Sequence, residues 1–108
     1  MSNDRKLLEL AAKAAGEITP SWYGNQNYLD GVLGRWNPLT DDGDALRLAV
    51  KLELSVSTWG NAVSVWQRIG DTSTYETTGK DRMASTRRVI VRAAAEIGKQ
   101  IVNSKVNA

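Results

Sequence analysis

The chain has 108 residues, with 42% hydrophobic and 24% charged side chains and a formal net charge of +2, the profile of one globular domain around a single core. It contains no histidine and no cysteine, which excludes imidazole acid–base chemistry, Ser-His-Asp and Cys-His hydrolysis, disulfides and the usual zinc sites. No apolar run is long enough to span a membrane and the opening MSNDRKLLEL has no apolar signal region, so a cytoplasmic protein is expected.

A first helix is expected from a cap at Asn3 or Asp4, with Leu7, Leu8, Ala11, Ala15 and Ile18 on one side. Gly16 and Pro20 end it. Its alanine-rich stripe predicts close packing against another element. Residues 19–38 read as irregular but aromatic, with Trp22, Tyr23, Tyr28 and Trp36 among Gly24, Gly31 and Gly34, and with room for a short strand within 27–33.

A second helix is expected over about 41–53. Ala45, Leu48, Ala49 and Leu52 share a face, and the flanking Leu46 and Val50 predict burial of much of its circumference. Strand alternation follows over 54–58 and 62–68 around Gly60-Asn61, a hairpin that should bury Val56, Val63 and Val65. A third strand fits near Thr74–Thr77. The last helix starts after Asp81, with Met83, Thr86, Ile90, Ala93, Ala94, Ile97 and Ile101 as its apolar stripe, and a disordered tail is expected over about 103–108. The fold class is therefore α+β in one domain over 1–108. A small, mainly antiparallel sheet packs with three helices in a three-layer, sandwich-like arrangement.

Three features are candidates for function. The acidic cluster Asp41-Asp42-Gly43-Asp44 could ligate a hard cation, but its spacing is not that of a calcium loop. Thr40 or Asp41 as a helix cap, with Asp42 and Asp44 favoured in the first turn, explains each residue without a metal. The C-terminal helix is basic: residues 82–108 hold Arg82, Arg87, Arg88, Arg92, Lys99 and Lys105 against Glu96 alone. Arginines near a helix N-terminus are electrostatically misplaced, so Arg87, Arg88 and Arg92 either bind phosphate, nucleic acid or an acidic partner, or form a solvated face partly paired with the 41–53 helix. Finally, four tryptophans stand in a chain without phenylalanine. Trp22, Tyr23 and Trp59 are the better candidates for exposed contact residues, whereas Trp36 and Trp66 are expected in the core.

The stretches WNPLTDDGDALRLA (36–49), ASTRRVIVRAAAEIG (84–98) and LLELAAKAAG (7–16) resemble small uncharacterised proteins of tailed phages and prophages. The order helix, W-x-P, capped helix, hairpin and final helix resembles the phage ABA sandwich domain, whose name describes a sheet between helical layers. The resemblance implies no catalytic residues and no cofactor. It implies a non-enzymatic accessory protein binding a host or phage macromolecule, an unidentified protein first, in the bacterial cytoplasm, as a host-takeover or anti-defence modulator. Binding of nucleic acid or a phosphorylated small molecule through the basic helix is the alternative.

Overall fold

A computed structural model describes residues 2–15, 37–68 and 72–107. Its elements run α1 (Ser2–Ala14), α2 (Asp42–Lys51), β1 (Leu54–Trp59), β2 (Ala62–Gln67), β3 (Thr72–Thr77) and α3 (Arg82–Asn107). The class is α+β, with three helices and an antiparallel three-stranded sheet ordered β1-β2-β3. The strand expected within 27–33 lies outside the described residues.

Helix α2 starts where its cap is. Asp41 sits in extended backbone (φ −117°, ψ 121°) and its side chain accepts the Asp44 N–H at 2.8 Å, satisfying one of the amides that a first turn leaves free. Thr40 is not the cap; its hydroxyl reaches the Asn37 carbonyl instead. The helix ends at Leu52, and Glu53 turns the chain into β1 with φ +56°, a left-handed conformation more usual for glycine. The expected wide burial of α2 is corrected here. Ala45, Leu48, Ala49 and Leu52 are buried, but Leu46 and Val50 are 64% and 68% exposed. A neighbour lies along one side of the helix only.

The hairpin forms as its alternation predicts. Trp59 pairs with Ala62 and Val56 with Val65 across Gly60-Asn61. Gly60 takes φ +54° and Asn61 does not, the pattern of a two-residue turn with glycine in its first position. Strand β2 is central and buries Ala62, Val63, Val65 and Gln67. Val56, expected inside, is 37% exposed because β1 is an edge that the helices do not fully cover.

Helix α3 organises the molecule. Asp81 caps it, accepting the Ala84 N–H at 2.9 Å, and the helix continues through Asn107, past the fraying expected from Asn103. Val89, Ile90, Val91, Ala93, Ala94, Ala95 and Ile97 are all buried, an arc too wide for one neighbour. The strands lie against one side of the helix and α1 against another, with α2 alongside. The alanines of the expected stripe have the role their composition predicts: Ala11 and Ala15 are buried, as is Ala14, and a Cβ on Gly98 would come within 2.0 Å of the Leu10 carbonyl oxygen. Met83, expected on the apolar stripe, is exposed at the N-terminal end of α3. Among the described residues one core joins all three helices to β2. Helices α2 and α3 lie on one face of the sheet, α1 packs on α3, and among the described residues no element covers the other face.

Candidate functional site

The acidic cluster is bound up in local structure. Asp41 caps α2. Asp42 accepts from Arg87 at 2.6 Å. Asp44, almost wholly buried, accepts the Asn37 N–H at 2.8 Å and the Arg47 guanidinium at 2.7 Å. The three carboxylates accept hydrogen bonds from different donors, although Arg47 also lies 4.0 Å from Asp41, and no metal-holding group of three or more such side chains occurs among the described residues. Their geometry is that of a helix start tied to the turn before it.

The three arginines likewise diverge. Arg87, with a side chain only 16% exposed, donates through Nε to the Leu39 carbonyl at 2.9 Å and through Nη1 to Asp42. Arg88 pairs with Asp4 of α1 at 3.0 Å, and Arg92 with Glu76 of β3. Each therefore ties α3 to a different element, namely the start of α2, α1 and β3. Of the pairing expected with the 41–53 helix only that of Arg87 forms; the heads of Arg88 and Arg92 are partly exposed and each meets a carboxylate of another element. Lys99 sits beside Glu96 on α3 itself. A shallow hollow of about 250 Å³ between β3 and α3 is lined by Thr72, Ser73, Thr74, Tyr75, Arg92 and Glu96. It is a poor seat for a phosphate, since Arg92 is already paired with Glu76 and the carboxylate of Glu96 lines the hollow.

The open sheet face has a different character. Strand alternation places Ser55, Ser57 and Trp59 of β1, Ala62, Ser64 and Trp66 of β2, and Ser73, Tyr75 and Thr77 of β3 on the side away from the core. None of these residues is charged. Trp59, Tyr75 and Trp66 are 61%, 59% and 41% exposed, and they stand among serines and a threonine too small to cover them, while Ala62 on the same side is buried. Trp59 is thus exposed, as the sequence suggests. Trp66, expected in the core, is corrected to this outer face. Tyr75 was missed: the threonine-rich run gives little sign of which residues point outward until β2 supplies its partner. Trp22 and Tyr23 lie outside the described residues.

Comparison of the chain with protein-family models, with curated proteins and with solved structures found no match.

Proposed function

We propose that the protein is a non-enzymatic binding module that presents the open face of its sheet to a protein partner. The accessory role in phage or prophage biology implied by the resemblance is the setting we assign to it. One observation carries the reading: an uncharged sheet face on which Trp59, Trp66 and Tyr75 are exposed together. Large aromatic side chains on a rigid strand bury much area with little loss of conformational freedom, which is why they dominate protein-binding hot spots. The absence of charge favours a partner surface that is apolar at its centre and neutral around it. A nucleic acid would bring phosphates to a face with no cation to receive them.

The reading is tested by capture from lysate of a phage-infected bacterium, comparing the wild type with W66S/Y75S and R88Q/R92Q. The expected result is a partner retained by R88Q/R92Q and lost by W66S/Y75S, with both variants folded. Retention by W66S/Y75S and loss from R88Q/R92Q, with a salt-sensitive interaction, would move the function to the basic helix.

A further inference from the structure

We propose that β1 is a pairing edge for a second copy of this chain, joining two sheets into one of six strands. The inference is independent of the partner assigned to the aromatic face. It starts from what β1 lacks. Exposed edge strands are normally protected by lysine, proline, a bulge or an overlying element, because their free N–H and C=O groups are a template for another strand. The sequence of β1 is LSVSTW, with no charge, proline or glycine. Its residues from Ser55 to Trp59 are all exposed, and among the described residues it pairs with β2 alone. The opposite edge is guarded: β3 carries Glu76, which is paired with Arg92 of α3.

The backbone of β1 fits its own copy. In a two-residue hairpin the pair closing the turn, here Trp59 and Ala62, is hydrogen-bonded, and bonded and non-bonded pairs alternate from there. Ser57 and Ser55 therefore bond inward to β2, while Thr58, Val56 and Leu54 direct their N–H and C=O groups to the free edge. A two-fold axis perpendicular to the sheet through Val56 sets Val56 opposite Val56 of the second copy and Leu54 opposite Thr58. Each of these is an outward-directed pair, so all the free groups of those residues find partners.

The side chains agree with that register. The axis keeps core-facing residues on one side of the joined sheet, as antiparallel pairing demands. Val56 then meets Val56 where the helices leave it exposed, and Ser55 meets Ser57 on the outer side. No like charges are brought into opposition within the strand. Moving the axis by half a residue would set core-facing side chains against outer ones, so the alternation itself rules that pairing out. In the joined sheet both sets of Trp59, Trp66 and Tyr75 lie on the same side.

Sedimentation equilibrium over a wide concentration range tests the pairing. The wild type should approach twice the chain mass of 11.8 kDa. V56P removes an N–H that β2 does not use and should leave a folded monomer. V56K sets like charges opposite each other at the axis and should weaken association about tenfold or more at low salt. Helix content by circular dichroism confirms that each variant is folded. W66S, altered on the sheet face rather than the edge, should remain dimeric. A wild type that stays at 11.8 kDa throughout overturns the proposal. So does a dimer that survives V56K, or one that dissociates on W66S, which would place the interface on the aromatic face.

Discussion

At the scale of single residues, Gln67 is the least expected. It lies on the core-facing side of β2 in step with Val63 and Val65, is fully buried, and neither its amide nitrogen nor its oxygen has a hydrogen-bond partner. Leaving such groups unpaired in the interior costs about 1–3 kcal/mol, so Q67L should raise stability by about 2 kcal/mol. Urea unfolding will show this as a higher midpoint at constant slope; a lower midpoint would mean that the amide has a partner in the folded protein. Asp41 gives the opposite case. Its carboxylate satisfies the Asp44 amide, and D41A should lower stability by about 1 kcal/mol. Magnesium or calcium should leave the melting temperature of the wild type unchanged, because Asp41, Asp42 and Asp44 each bond a different donor. A rise on adding either ion, abolished by D42N, would make the cluster a metal site. The capping role could be seen in the sequence, since Thr-Asp-Asp-Gly-Asp before an apolar helix has the chemistry of a helix start. The unpaired state of Gln67 could not, because it depends on what surrounds the strand.

At the scale of elements, the contact between α1 and α3 is set by small residues. Gly98 lets the two backbones approach until a Cβ would overlap the Leu10 carbonyl group. Replacing a helical glycine with alanine ordinarily adds about 1 kcal/mol of helix stability. Here backbone, not a movable side chain, occupies the space, so G98A should instead lower stability by about 1–3 kcal/mol. Amide exchange in α1 should accelerate more than exchange in the hairpin, since only α1 must move away. An alanine at 98 that stabilises the protein would show that the helices separate freely. The alanines at 11 and 15 in the expected stripe anticipate this close packing from composition alone. By contrast, Leu46 and Val50 lie outside the buried side of α2. Periodicity identifies an apolar face but not how much of it a neighbour covers.

At the scale of the whole molecule, the described elements share one core, in which residues of α1, α2, β2 and α3 interlock around α3. The ion pairs of Arg87, Arg88 and Arg92 add ties from α3 to α2, α1 and β3, although partly exposed pairs of this kind are each worth about 1 kcal/mol or less. With no second core among the described residues to unfold separately, far-UV ellipticity and amide exchange of the strands should report a single transition with one midpoint. Two separated midpoints would show that α1 or the hairpin unfolds on its own.

Element types and the hairpin register follow from the sequence by itself, because helix and strand periods, the Asp41 and Asp81 caps and Gly60-Asn61 are local signals. The face on which each strand residue lies is equally local: once Val63 and Val65 point inward, Trp66 must point outward, against the general tendency of tryptophan to be buried. The tertiary structure alone decided what those faces meet. It set α3 between α1 and the sheet, left β1 at the edge of the described sheet, brought Tyr75 beside the strand that carries Trp66, and turned a run of arginines into three separate ties. These are contacts between residues far apart in the chain, and they depend on which surfaces the packed helices occupy, a quantity that no short stretch of sequence contains.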